Sequence, residues 1–176
     1  MPLPKDVTDP SYLEGLGEWP IATIRARRDE ANEVETGLSY QRRIVQGRLD
    51  IVVAELHRRQ TGGGPGDVSE LIEQLPTILS EHVRAPGLGR LPALMGPGQL
   101  DPGIESKLEE ILPAGQLGTL SDLDDSELSD RAEKLDVLER SVSSQRKAVF
   151  EIVDRLQAEV VQRYRSGEAT VDSLLS

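Results

Sequence analysis

Cysteine is absent from the 176 residues of this chain, which excludes disulfide bonds, thiol catalysis and cysteine-based metal sites. Aromatic residues make up only 3% of the sequence, whereas a compact globular core usually relies on more large rings. No apolar run approaches the roughly 20 residues that a membrane-spanning helix requires. The N-terminus also lacks the basic start and apolar run of a signal peptide. We therefore expect a cytoplasmic protein without a membrane partner.

Positive charge is also in short supply, and the formal net charge is −11. Direct binding to nucleic acid is not expected, because affinity there depends on neutralising phosphates with lysine and arginine. The negative charge is compatible with a basic protein partner, but it is equally compatible with good solubility alone.

The familiar signatures of catalysis are missing as well. The two histidines, His57 and His82, lie in different segments, and the sequence has no phosphate-binding loop, dinucleotide fingerprint or paired-histidine metal motif. The glycine-rich run at 62–66 lacks the lysine of a phosphate loop and is interpreted as a linker. Glu35 and Asp50 lie about four helical turns apart, too far for an acid–base pair. We expect neither an enzyme nor a metal site.

Glycine and proline divide the chain into long and interrupted stretches. Residues 61–120 hold seven of the 11 prolines and 11 of the 16 glycines. The pattern predicts a flexible lead-in at 1–18, a long helix at 19–60, an acidic connector at 61–120, a second long helix at 121–167 and a tail at 168–176. Short helices are expected near 67–84 and 101–112. A helix of about 40 residues spans roughly 60 Å, so we predict an all-α fold in which two long helices form a coiled-coil hairpin.

The two long helices repeat each other. A shift of 104 positions aligns them without a gap and gives nine identities in the 25 positions from 35 to 59. The identical pairs are Glu35/Glu139, Ser39/Ser143, Gln41/Gln145, Arg42/Arg146, Val45/Val149, Asp50/Asp154, Ala54/Ala158, Glu55/Glu159 and Arg59/Arg163. Both copies also carry apolar residues at three- and four-residue spacing, which is typical of a coiled-coil seam.

A polar face runs beside this seam in both copies, within an arc of about 80°. The first copy places Glu35, Ser39, Arg42, Gln46 and Asp50 there, and the second places Glu139, Ser143, Arg146, Phe150 and Asp154. One such arc would be explained by a solvated face with pairs one turn apart. A solvated face gives no reason for serine and aspartate to recur at matched positions, so we interpret the repeated arc as a ligand surface.

Recognition of a guanine-containing ligand suits this surface. An arginine fork can donate two hydrogen bonds to guanine O6 and N7, and a carboxylate can accept from N1–H and N2–H. Each helix offers one arginine and one aspartate in the arc, and the neighbouring Arg43 and Lys147 could meet phosphates. A two-helix hairpin with a pseudo-twofold axis would suit a twofold-symmetric ligand that holds two guanines.

The spacing of the first copy resembles, in every position, the signature E(X)3S(X)2R(X)3Q(X)3D of the RsiG family, the cyclic di-GMP-dependent anti-sigma factors of sporulating actinobacteria. The second copy departs from it only at Phe150. The resemblance covers about 20–60 and 121–165. It implies an antiparallel hairpin that binds cyclic di-GMP as a two-molecule cluster. It also implies that the loaded form sequesters a WhiG-like sigma factor from RNA polymerase.

Two questions stay open at the level of sequence. Phe150 is compatible with stacking on a base or with two unequal half-sites. The whole pattern also has an alternative interpretation, a ligand-independent coiled-coil scaffold or adaptor whose polar face contacts another protein.

Overall fold

The computed structural model of the chain describes residues 2–62, 98 and 100–167. Within these ranges the chain is mostly helical and contains no strand. Its α-helices are α1 (Pro4–Val7), α2 (Ile21–Gln60), α3 (Pro102–Ile111) and α4 (Asp125–Arg165), and its 3-10 helices are Pro10–Leu13, Leu16–Glu18 and Ala114–Asp122. The long helices α2 and α4 pack together, which confirms the predicted all-α class with two long helices.

None of the helices in the described ranges has a stretch both long and apolar enough to cross a membrane. The helix predicted at 67–84 and the tail at 168–176 lie outside the described residues. The helix predicted near 101–112 corresponds to α3.

The start of α4 differs from the sequence prediction by four residues. A 3-10 helix continues through Asp122, and α4 begins only at Asp125. The reason is a reciprocal cap, in which the Glu127 backbone N–H donates to Asp124 Oδ1 at 2.8 Å and the Asp124 backbone N–H donates to Glu127 Oε2 at 3.0 Å. Such a capping box satisfies two backbone donors that an α-helix leaves without partners, and it fixes where the helix starts.

The N-terminal residues also differ from the loose lead-in that the sequence predicts. Residues 2–18 hold α1 and two 3-10 helices, with Val7 fully buried and Tyr12 6% exposed. The hydroxyl of Tyr12 donates to the carbonyl oxygen of Arg27 at 2.9 Å, and the Arg27 guanidinium lies 4.9 Å from the centre of the Tyr12 ring. Burial of both side chains and the contacts of Tyr12 with α2 give the segment its structure, which composition alone did not reveal.

The internal repeat extends beyond the long helices to the elements that precede them. Adding 104 to the residue numbers of the first copy gives those of the second. The end of α1 then corresponds to the end of α3, the start of the first 3-10 helix to the start of Ala114–Asp122, and the start of α2 to the start of α4. The buried positions agree as well, since Ile24, Ala31, Leu38, Val45 and Val52 correspond to Leu128, Leu135, Val142, Val149 and Leu156, and all ten have 0% exposure. The chain is therefore a tandem duplication in structure.

The chain forms two compact units. Unit 1 comprises Met1–Tyr40, Pro97–Asp101 and Ser143–Ser176, and unit 2 comprises Gln41–Gly96 and Pro102–Val142. The apolar core of unit 1 includes Val7, Ile24, Val34, Leu38, Val149 and Leu156. The core of unit 2 includes Val45, Val52, Leu108, Leu112, Leu128 and Leu135. Each unit thus buries residues of both long helices together with residues of its own short elements.

An arginine latch holds the segment before α2 in unit 1. Arg163 donates from Nη1 to the carbonyl of Trp19 at 3.0 Å, and from Nη2 to those of Gly17 at 2.6 Å and Leu16 at 3.4 Å. Its Nε donates to Glu159 at 2.8 Å. Carbonyl groups at the end of a short helix lack intrahelical donors, so the guanidinium donates the hydrogen bonds that the backbone N–H groups do not provide.

The same latch recurs in unit 2 at positions 104 residues apart. Arg59 donates from Nη1 to the carbonyl of Leu123 at 2.8 Å, and from Nη2 to those of Leu120 at 3.0 Å and Ser121 at 3.2 Å. Its Nε donates to Glu55 at 2.8 Å. The identities Glu55/Glu159 and Arg59/Arg163 are therefore explained by a structural role, because both pairs anchor the entry to a long helix.

In unit 1, the backbone of Gly98 lies very close to the backbone of α2. Gly98 has a positive φ of 60°, and a Cβ atom there would lie 2.7 Å from the backbone nitrogen of Gly37 and 2.9 Å from the carbonyl oxygen of Glu33. Only glycine tolerates both this conformation and this proximity. Gly98 therefore lies directly against α2.

Candidate functional site

Unit 1 contains a cluster centred on the carboxylate of Glu35. Its Oε1 accepts from the hydroxyl of Ser39 at 2.8 Å and from Nη1 of Arg146 at 3.1 Å. Glu35 and Ser39 lie one turn apart on α2, whereas Arg146 lies on α4. The Glu35 side chain is 21% exposed, so the carboxylate is mostly withdrawn from water and is held by two donors.

Unit 2 contains the matching cluster, centred on Glu139 of α4. Its Oε1 accepts from Nε of Arg42 at 2.8 Å and from Nε2 of Gln46 at 3.0 Å. The Glu139 side chain is 16% exposed and that of Arg42 is 34% exposed. Part of the guanidinium therefore remains within reach of solvent, or of a ligand, while one of its N–H groups is held in place.

Each cluster contains residues of both motif copies. Unit 1 holds Glu35, Ser39, Ser143, Arg146, Lys147, Phe150 and Asp154, and unit 2 holds Arg42, Arg43, Gln46, Asp50 and Glu139. In each unit the glutamate of one copy binds the arginine of the other copy. The sequence predicts which motif residues share a helical face, and the structure adds that the ion pairs join the two copies.

This exchange could have been found from the sequence by combining two observations. If the helices run in opposite directions, a 104-residue repeat must pair a position early in one motif with a position late in the other. Glu35 and Arg42 are seven residues apart, and so are Glu139 and Arg146. If two antiparallel helices are aligned at the middle of the motif, each glutamate therefore lies opposite the arginine of the other copy.

The remaining motif residues line the exposed parts of the two clusters. On α4, Arg146, Phe150 and Asp154 follow one another at four-residue intervals and therefore lie on one helical face. Asp154 is exposed, and the Phe150 side chain is 47% exposed. On α2, Arg42, Gln46 and Asp50 have the same spacing, and all three are half-buried. Arg43 and Lys147 are exposed beside these faces.

Arg146 is less completely paired than Arg42. Its Nε is buried and has no hydrogen-bond partner among the described residues, whereas Nε of Arg42 donates to Glu139 at 2.8 Å. A buried donor without a partner is unfavourable by roughly 1–3 kcal/mol, so the unit 1 cluster retains an unsatisfied polar group.

The chemistry available in both clusters is that of a polar recognition surface. Each offers a guanidinium on one side and a carboxylate two helical turns further along the same face, a combination able to contact two edges of a planar heterocycle. Among the described residues, no group of acidic and histidine side chains is arranged to hold a metal ion.

Comparison with known proteins gave one family match. Residues 10–79 match the family model described as RsiG-like, a range that includes all of α2 and the first motif copy. No curated protein matches the chain. The RsiG-like family is one of regulatory anti-sigma factors and is not known for enzymes.

Proposed function

From the match of residues 10–79 to the RsiG-like family model, we propose that the chain is an anti-sigma factor controlled by cyclic di-GMP. In this proposal the two clusters bind two molecules of the nucleotide. The loaded protein then sequesters a WhiG-like sigma factor and keeps it from RNA polymerase. A sigma factor as partner follows from the family, whereas the nucleotide and the identity of the sigma factor are the proposed parts.

One observation carries the nucleotide proposal. In both units a motif glutamate of one copy holds the arginine of the other, at 2.8 Å for Arg42 with Glu139 and 3.1 Å for Arg146 with Glu35. Each ion pair fixes the orientation of a guanidinium whose side chain stays partly exposed, 34% for Arg42 and 38% for Arg146. A group held in its bound orientation loses less conformational freedom when the ligand arrives. The pairing thus prepares each arginine for a planar acceptor such as guanine.

The aspartates supply the second half of guanine recognition in this proposal. Asp50 follows Arg42 by two turns on α2, and Asp154 follows Arg146 by two turns on α4. With arginine on O6 and N7 and a carboxylate on N1–H and N2–H, guanine is distinguished from adenine, which lacks both O6 and the two donors. The exposed Arg43 and Lys147 are the proposed phosphate contacts.

We further propose that α2 and α4 form an antiparallel hairpin. Support comes from the order of contacts in each unit. In unit 1, Arg28 contacts Gln157 and Glu35 contacts Arg146, so the partner number falls as the α2 number rises. In unit 2, Arg42 contacts Glu139, and the later Arg59 contacts Asp125.

The alternative function is a ligand-independent scaffold, and one observation favours it. Both motif arginines already pair with carboxylates of the facing helix without any nucleotide, so the motif could serve only to join the helices. The two functions differ in what cyclic di-GMP does. A scaffold gives no heat of binding and no change in melting temperature on addition of the nucleotide.

A linked pair of titrations tests the proposal. The affinity of the chain for a WhiG-like sigma factor is measured with and without cyclic di-GMP, and the affinity for the nucleotide is measured with and without the sigma factor. A ligand favours a complex only through better binding to that state, and the two couplings must then be equal. We expect both affinities to rise by the same factor. Equal sigma-factor affinity in both conditions would refute the switch, and cyclic di-AMP is the matched control nucleotide.

A further inference from the structure

The two clusters differ at one matched position, where unit 2 has Gln46 and unit 1 has Phe150. The side-chain amide of Gln46 donates to Glu139 at 3.0 Å, so it forms part of the polar network. Phe150 cannot donate, and its ring is 47% exposed. A partly exposed ring offers apolar surface, and a ligand that covers this surface gains free energy by removing it from water.

The position of Phe150 on its helix indicates what would cover it. It lies one turn after Arg146 and one turn before Asp154, on the same face of α4. These two residues are the proposed readers of the two edges of a guanine. A planar base that reaches both of them must pass over the side chain between them, which is the ring of Phe150.

The polar surroundings point to the same place. Nε of Arg146 is buried without a partner among the described residues, whereas the corresponding atom of Arg42 is paired with Glu139. In unit 2, Gln46 also donates to Glu139, so a ligand that needs this amide competes with a carboxylate. In unit 1, a ligand that covers Phe150 displaces no side-chain hydrogen bond of residue 150.

We propose that Phe150 is a stacking platform for a guanine base of cyclic di-GMP, and that the unit 1 cluster therefore binds its nucleotide more tightly than the unit 2 cluster. This inference rests on the proposed nucleotide function. Stacking of a base on an aromatic side chain changes affinity by about 5- to 150-fold. The protein then has two unequal sites, of which the one with Phe150 fills first as the nucleotide concentration rises.

The sequence offers an unusually direct probe, because Phe150 is the single phenylalanine of the chain. Protein labelled with 4-fluorophenylalanine gives one 19F resonance for the folded state. We expect this resonance to move as the first equivalent of cyclic di-GMP is added and to stop moving before the second site is filled. A resonance that stays in place while calorimetry records binding at both sites would overturn the proposal.

Calorimetry on variants separates stacking from other effects. Phe150→Leu keeps an apolar side chain but removes the ring, and it should weaken the tighter site by about 5-fold or more. Phe150→Gln restores the residue of the first copy and should bring the two sites closer in affinity. Val161→Ala, on the same helix and also partly exposed, should leave both sites unchanged. Equal affinities at the two sites in the wild type, or no effect of Phe150→Leu, would refute the inference.

Failure of this inference is distinguishable from failure of the proposed function. Wild-type protein that binds no cyclic di-GMP refutes the function itself. Wild-type protein that binds two molecules with equal affinity refutes only the role of Phe150. If Phe150→Leu weakens sigma-factor binding but leaves nucleotide affinity intact, the ring is a protein contact and the stacking proposal is wrong.

Discussion

Arg42 and Glu139 belong to different motif copies, yet their side chains meet at 2.8 Å within unit 2. The pair is partly exposed on the arginine side and nearly withdrawn from water on the glutamate side. It therefore does two things at once. It contributes a polar contact between α2 and α4, and it sets the orientation in which a ligand would find the Arg42 guanidinium.

Replacement of Arg42 or Asp50 should weaken nucleotide binding. We expect Arg42→Ala or Asp50→Ala to lower the affinity for cyclic di-GMP by at least about 1–3 kcal/mol, the scale of one lost bidentate contact. Isothermal titration calorimetry measures the change. Arg140→Ala is the matched control, because Arg140 is an exposed arginine of α4 that pairs with Asp136, one turn earlier on the same helix. Wild-type affinity in both motif variants would contradict the proposal that this face binds the nucleotide.

The connector should matter for stability and not for ligand affinity. Leu112 is fully buried in unit 2, and Arg48 donates to its carbonyl oxygen. We expect Leu112→Ala to lower the free energy of unfolding by about 2–5 kcal/mol, through lost burial and a cavity. Val137→Ala, at a position 61% exposed in the same unit, should change it little. Urea denaturation measures both values.

Nucleotide binding completes this test, because residues 61–120 carry no motif residue. A variant in which a glycine–serine linker of the same length replaces residues 63–96 should bind cyclic di-GMP with wild-type affinity. Loss of binding in such a variant, with helicity unchanged by circular dichroism, would mean that the connector takes part in the site.

Acid should weaken the latch in unit 2 through Glu55. This carboxylate is 6% exposed, and hydrogen bonds from Arg58, with those from Arg59, hold its pKa below the ordinary glutamate value. A pKa lowered by folding contributes stability at pH values above the unfolded pKa, about 4.3 for glutamate, and that contribution is lost as the pH falls through the folded value. We expect the free energy of unfolding to drop more steeply below about pH 4.3 in the wild type than in Glu55→Gln. Parallel pH profiles for the two proteins would contradict the assignment.

The close approach of Gly98 to α2 should be intolerant of a side chain. Alanine at this position would place its Cβ atom 2.7 Å from the backbone nitrogen of Gly37 and would adopt a φ of 60°. We expect Gly98→Ala to lower the free energy of unfolding by about 1–3 kcal/mol. Gly115→Ala is the matched control, since nothing lies within 4 Å of its added Cβ. A thermal melt in which the two variants are equally stable would show that this contact is dispensable.

The long helices and their repeat were accessible from the sequence for a clear physical reason. Helix length follows from the spacing of proline, and the buried face follows from the apolar period, so α2 ends at Gln60 where the glycine run begins. The seam residues Val45 and Val149 are fully buried, as their matched positions predict. These features are local in the sequence, so they can be interpreted without knowledge of tertiary contacts.

The lead-in and the ion pairs were less accessible, because both depend on contacts distant in the sequence. Tyr12 is buried through its contact with Arg27, which composition does not reveal. The repeat of Glu55 and Arg59 was visible, but its role depended on carbonyl groups 61 to 64 residues further along the chain. The pairing of Arg42 with Glu139 required the relative direction of two helices. Side-chain partners across elements are a property of the folded chain and not of either segment.

The tandem duplication has a consequence for how the motif residues can change over generations. In a symmetric homodimer every substitution is present twice, so a change that helps one half-site is imposed on the other. Two copies in one chain remove this constraint. Phe150 could arise in one copy while Gln46 stayed in the other, and the arginine latches at positions 59 and 163 could remain identical. A repeat within one chain therefore allows one copy to change while the other keeps its residues.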